Sequence, residues 1–154
     1  MLSPLTKVYE QDFYAWSIQQ ATLIRSGRWA ELDIDHLAEE LEGMARSEKR
    51  ELVNRLVILL AHLLKWQHQV NQRSASWRGT IREQRKRIRK LLKDNPSLKT
   101  ETIMAEAIID GYDLAITEAA IETMLEETIF PAECPYSLAE LLDENFYPGV
   151  MNDE

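Results

Sequence analysis

Apolar residues return at helical intervals along almost the whole chain. Val8, Tyr14, Ile18, Ala21 and Ile24 share one side of a helix predicted from Val8 to Arg25, and Gly27 is placed to let the backbone leave it in a left-handed conformation. Asp33 or Asp35 can cap a second helix, in which Ile34, Leu37, Leu41 and Ala45 make one stripe. The polar run Arg46-Ser47-Glu48-Lys49-Arg50-Glu51 is then either exposed or a break. Beyond it, Leu52, Leu56, Leu59, Leu63, Trp66 and Val70 occupy one face, and Val53, Val57, Leu60 and Leu64 another. At about 100° per residue these positions fill an arc of roughly 160°, against about 100° for an ordinary surface helix, which predicts the central and most buried element. The spacing leaves open whether Asp35 to Val70 is one helix or two joined near Gly43 to Ser47.

A further helix is predicted to start at Ser76 or at the capping box Thr80-x-x-Glu83 and to end before Asp94-Asn95-Pro96-Ser97. So short a connection makes the next helix, from about Leu98 to Glu127, an antiparallel neighbour. Its inner side carries Met104, Ala107, Ile108, Gly111, Tyr112, Ala115 and Ala119. The small residues among them admit close approach, which must offset the roughly 1 kcal/mol that Gly111 costs in helix propensity. Phe130-Pro131 ends the helix, and the Ser137-x-x-Glu140 box predicts a short helix in a tail whose Tyr136, Phe146 and Tyr147 should pack back on the body. No alternating strand, hairpin dipeptide or internal repeat interrupts this pattern. The expectation is an all-α fold: a compact bundle of about four to six helices around a long central one. With 154 residues, 45% of them hydrophobic, one domain over residues 1–154 can bury a sufficient core.

Charge changes the picture. The net value of −8 hides a strong asymmetry: Met1 to Gln72 holds 8 basic and 10 acidic residues, Arg73 to Lys93 holds 9 and 1, and Asp94 to Glu154 holds 1 and 15. The local balances are therefore −2, +8 and −14. Cys134 has no partner for an intramolecular disulfide, Met1 to Lys7 does not read as a signal peptide, and Leu56 to Trp66 is too short and too polar for a membrane span. These features predict a cytoplasmic protein with no membrane partner.

Several segments together carry a family resemblance. Tyr9-Glu10-Gln11-Asp12-Phe13-Tyr14-Ala15-Trp16, Leu37-Ala38-Glu39-Glu40-Leu41-Glu42, Leu59-Leu60-Ala61-His62-Leu63-Leu64-Lys65-Trp66-Gln67 and Ser76-Trp77 are the first of them. Thr80-Ile81-Arg82-Glu83-Gln84-Arg85, Asn95-Pro96-Ser97-Leu98 and Phe130-Pro131-Ala132-Glu133-Cys134-Pro135-Tyr136 follow in order. From about Tyr9 to Pro148 the chain resembles the bacterial family catalogued as a domain of unknown function, DUF29. The resemblance implies a single all-helical domain and supplies no catalytic residue.

The residues themselves argue against most chemistries. Gly-x-Ser-x-Gly, P-loop and dinucleotide fingerprints are absent, and Cys134, beside Glu133 and Pro135 with no His nearby in sequence, reads as a buried inert thiol. His36 and Glu40 can face one way at i, i+4, but no Glu-x-x-His occurs, so His36, Glu39, Glu40 and His62 are weak metal candidates. His62 and His68, about 120° apart around one helix, cannot share an ion. Adjacent Glu39 and Glu40 diverge by about 100° and do not share a proton. No cofactor is expected. The best candidate is the basic face of the helix over 76–93, where Arg78, Arg82, Arg85, Arg89 and Lys93 fall within roughly 80° of one another, opposite Trp77, Ile81, Ile88, Leu91 and Leu92. It can pair internally, with the acidic strip Glu106, Asp110 and Asp113 for example, or meet a partner protein, a second subunit or nucleic acid. The expected function is a non-enzymatic protein-interaction or self-associating module. The alternatives are nucleic-acid binding through 76–93 and a metal-dependent enzyme using His36, Glu39 and Glu40.

Overall fold

Helical periodicity translates directly into the structure, a computed structural model that describes residues 4–149. Helices α1 (Pro4–Gln11), α2 (Phe13–Arg25), α3 (Ile34–His68), α4 (Ala75–Asp94), α5 (Glu101–Thr123) and α6 (Leu138–Leu142) are joined by short 3-10 turns and loops, with no strand among the described residues. The fold is all-α. The chain divides between Ser47 and Glu48 into two compact units.

In the first unit, the single helix expected from Val8 to Arg25 is two. Asp12 leaves helical geometry at φ −149° and ψ 80°, and its side chain accepts the Ala15 N–H at 3.0 Å, which caps α2. The buried side of α2 also differs from the expected stripe: Trp16, Gln20 and Leu23 are inside, while Tyr14, Ile18 and Ile24 are exposed. The cause is polar. Trp16 Nε1 donates to Asp33 Oδ2 at 3.0 Å and Gln20 Oε1 accepts the Asp33 N–H at 2.8 Å, so the inward face is selected by bonds to Asp33 as well as by apolar area. Gly27 takes φ +71°, as its position predicted. At the start of α3, Leu37 N–H donates to the Asp33 carbonyl at 2.9 Å, so Asp33 rather than Asp35 precedes the helix. The stripe expected to be buried there is not: Leu37 is half-buried, and Ile34, Leu41 and Ala45 are exposed.

The second unit contains the core. Helix α3 continues through the polar run without a break, and its Leu52, Leu56, Leu59, Leu60, Leu63 and Leu64 are fully buried. It ends at His68, so Val70 stands exposed in the following 3-10 turn instead of extending the stripe. Lys65 is also inside, at 6% exposure. Its ammonium pairs with Glu122 and lies 4.9 Å from the Trp77 ring centre, which together replace lost hydration. Helix α4 begins at Ala75, one residue before the Ser76 start and well ahead of the alternative at the Thr80 box, because Ser74 accepts the Trp77 N–H at 3.1 Å and is the cap.

Helix α5 buries Met104, Ala107, Gly111, Tyr112, Ala115 and Ala119, with Ile108 half-buried. A Cβ on Gly111 would stand 3.2 Å from Leu56 Cβ and 3.6 Å from the Val53 carbonyl oxygen. The missing side chain is what lets α5 approach α3. The helix stops at Thr123, earlier than Glu127, with Met124 in the left-handed region at φ 59°. The tail then returns to the body: the Tyr112 hydroxyl donates to the Pro131 carbonyl at 2.6 Å and the Tyr136 hydroxyl to Gln67 Oε1 at 2.7 Å. Burial holds the Tyr112 phenol up to about 12 and also pushes the Cys134 thiol up, so neither ionises near neutral pH. Both members of the Ser137/Glu140 capping box are formed. Among the described residues, no helix is long and apolar enough to cross a membrane.

Leu60→Ala removes a fully buried side chain from the centre of this packing. A urea titration should show a loss of about 2 to 5 kcal/mol. A variant as stable as wild type would contradict the assignment of α3 as the core helix.

Candidate functional site

The charge asymmetry of the sequence becomes a cleft between α4 and the C-terminal tail, inside the second unit. Trp77, Ile81, Ile88, Leu91 and Leu92 turn α4 toward the core, which leaves Arg78 and Arg82 exposed and Arg89 half-buried. Arg85 departs from the expected display. It lies at the margin of the apolar face, beside Leu92 on the helical wheel, and is only 1% exposed. Its Nε donates to the Leu141 carbonyl at 2.8 Å, and its Nη2 donates to the carbonyls of Phe146 at 2.8 Å and Glu140 at 3.2 Å. These oxygens lie at and beyond the C-terminal end of α6, where helix carbonyls lack internal partners.

Neighbouring arginines extend the clamp. Arg89 donates from Nη2 to the Leu142 carbonyl at 2.7 Å and from Nη1 to Glu144 Oε1 at 2.5 Å. Arg73 donates to the Trp66 carbonyl at 2.8 Å and to the Pro148 carbonyl at 3.4 Å. Arg78 stacks on two rings, 5.1 Å from the centre of Trp66 and 4.8 Å from that of Tyr147. The basic helix therefore fastens its own tail. Glu106, Asp110 and Asp113, the acidic strip singled out from sequence, are exposed and enter no ion pair among the described residues; the carboxylate that α4 reaches is Glu144.

Not all the cationic charge is used in this way. Arg78, Arg82, Arg85 and Lys86 line a cavity of about 410 Å³, closed on the other side by Glu144, Asn145 and Tyr147. None of those four cations has a carboxylate within ion-pairing distance among the described residues. Arg85 Nη1 is buried with no acceptor among the described residues. Burial pulls the Arg85 guanidinium below its ordinary value, yet a guanidinium stays charged throughout the range in which proteins fold. An adjoining cavity of about 360 Å³ shares Arg78, Asn145 and Tyr147 and reaches Trp66, whose Nε1 is likewise buried without an acceptor. Lys93 is exposed on α4 but does not line either cavity. Lys86 was not among the residues singled out from sequence, although its helical spacing from Arg82 and Arg89 could have found it; Glu144, Asn145 and Tyr147 carried no local signal that they would meet it.

The metal candidates fall elsewhere. In the first unit, Asp33 Oδ2 lies 2.8 Å from His36 Nδ1, and the Tyr9 ring stacks on the His36 ring at 3.9 Å between centres. Tyr9 donates its hydroxyl to Glu40, and that hydrogen bond is the main reason its phenol is held up to about 12. Glu39 is exposed beside this cluster. His62, in the second unit, donates through Nδ1 to the Ile58 carbonyl at 2.8 Å, and His68 does the same to Leu64 at 3.0 Å. Burial lowers the His62 imidazole. Among the described residues, no group of three or more His, Cys, Asp or Glu is placed to hold a metal ion.

Burial by itself would raise the Asp33 carboxyl, but hydrogen bonds from His36 and Trp16 outweigh it and the net shift is downward. A folded value below the unfolded one gives stability that is full above the ordinary carboxylate range, about 4, and is lost as pH falls through the lower folded value. The wild-type advantage over Asp33→Asn in urea denaturation should thus be largest at neutral pH and shrink in acid. A pH-independent difference would contradict this role for the charge.

No curated protein and no solved structure matches the chain. One family model does, over residues 8–147, a span that runs from α1 to the Tyr147 ring of the cleft and covers most of each unit. On that match, the chain belongs to the family described as Domain of unknown function DUF29.

Proposed function

We propose that this protein is a non-enzymatic interaction module that associates with a second copy of itself through the start of α3. The observation that carries this reading is the apolar stripe that the described residues leave uncovered. Ile34 is 66% exposed, Leu41 64% and Met44 66%, with Ala45 exposed beside them. They fall within roughly 100° of one another at helical pitch, which is the width of an ordinary core-facing stripe.

Charge on the flank of that stripe favours a second copy over an unrelated partner. Asp35, Glu42 and Arg46 lie along one edge, all exposed, with the acidic residues nearer the helix start. In an antiparallel, two-fold arrangement the same edge meets itself reversed, so Asp35 of one copy faces Arg46 of the other. The competing readings have less support. Nucleic-acid binding along 76–93 would draw on Arg85 and Arg89, which are committed to the tail, and enzymatic use of His36 would need ligands or substrate contacts beyond its bond to Asp33.

Size exclusion with light scattering tests the proposal. Wild type is expected to form a dimer that weakens on dilution, and Leu41→Glu to be monomeric with an unchanged circular dichroism spectrum. Asp35→Arg and Arg46→Glu should each weaken the dimer, and the double variant should restore it. Wild type that stays monomeric at every accessible concentration and ionic strength would overturn the reading.

A further inference from the structure

The cavity on α4 has its own chemistry, in a different unit and on different residues from the self-association surface, so what it does is independent of that reading. We propose that the cavity lined by Arg78, Arg82, Arg85 and Lys86 is a binding site for a phosphate-monoester dianion.

Charge comes first. Four cations surround the space, and the carboxylate on its wall, Glu144, is already taken by Arg89. Arg85 donates to carbonyl dipoles and pairs with no carboxylate among the described residues, although the charges of Asp143 and Glu144 act on it from farther off. The site therefore has a surplus that a single carboxylate would leave partly uncompensated and that a dianion matches more fully. Hydrogen-bonding capacity gives the same answer. Arg85 and Trp66, which line the adjoining cavities, each hold a buried donor, Nη1 and Nε1, that lacks a partner among the described residues. A complementary ligand must bring acceptors, and a phosphoryl group brings three strong acceptor oxygens with a charge of about −1.5 to −2 at neutral pH. Guanidinium forks suit that geometry through paired N–H···O bonds, and exposed Arg82 and Lys86 are free to close on it.

Shape separates this ligand from a nucleic-acid backbone. An extended polyanion is read by cations set out along a ridge, whereas these converge on a concavity with the Glu144 carboxylate at its wall. The second cavity, past Arg78 and Tyr147 toward Trp66, gives the remainder of the ester a place to lie. The phosphoryl group can come from a small metabolite or from a phosphorylated protein side chain; the recognising chemistry is the same.

Calorimetric titration of the full chain near pH 7.5 and low salt tests the site, with inorganic phosphate in one arm and a phosphoserine peptide, beside its unphosphorylated form, in the other. Binding is expected for phosphate or for the phosphopeptide only, weakened by roughly tenfold or more in Arg82→Ala/Lys86→Ala, whose side chains are exposed and do not support the fold. Lys93→Ala, which removes a charge outside the cavity, should bind as wild type does. Affinity should fall as pH drops through the second phosphate ionisation near about 6. Phosphate binding as tight as that of the peptide identifies a free metabolite as the source; tighter peptide binding identifies a protein side chain. No binding in either arm, or an equal loss in Lys93→Ala, would overturn the proposal. A phosphate-binding monomer would refute self-association alone, and a dimer that ignores phosphate would refute this site alone.

Discussion

A buried guanidinium facing three backbone carbonyls is the constraint on which the C-terminal part of the structure depends. Helix α6 has five residues and cannot stand by itself: the Glu140 carbonyl accepts the Asp143 N–H at 3.3 Å, but those of Leu141 and Leu142 need donors from outside. Arg85 supplies the first of them from α4, tying together an element that is stable and one that is not. Taking the charge out of water costs several kcal/mol, and three hydrogen bonds to a charged donor, at about 1.5 to 3 kcal/mol each, offset it. Around this point Arg89, Arg73 and Arg78 add contacts of the same kind, to carbonyls and to the aromatic rings of Trp66 and Tyr147. The clamp uses carbonyl dipoles for stability and so leaves positive charge over. That surplus lines the cleft.

The first unit is organised by the opposite sign with the same economy of residues. The Asp33 carboxylate accepts from Trp16 Nε1, lies 2.8 Å from His36 Nδ1, and its backbone N–H is bound by Gln20. Polar bonds thus decide which side of α2 faces inward. The apolar stripe at the start of α3 stays exposed among the described residues, and the self-association reading follows from it.

Helix type, order and most core positions were legible in the sequence because apolar spacing reports them without knowledge of partners. The wide arc of Leu52 to Leu64 is buried, Gly111 marks the close helix contact, and the Ser137 box caps α6. What periodicity could not show was decided by polar contacts distant in sequence. Asp12 splits the first helix through a single side-chain cap, and Lys65 goes inside because Glu122 and Trp77 wait there. The cationic helix was legible as a candidate site, but Arg85 read as one more surface charge; nothing local announced that carbonyls more than fifty residues away would draw it in.

Hydrogen exchange on Arg85→Lys tests the clamp most directly, because an ammonium keeps the charge but cannot serve the same three oxygens as a planar fork. The account predicts much faster exchange in the amides of α6 and the segment to Gly149, with those of Leu52 to Leu64 in α3 protected as in wild type. Unchanged protection of α6 would show that the tail is held by something other than the arginine.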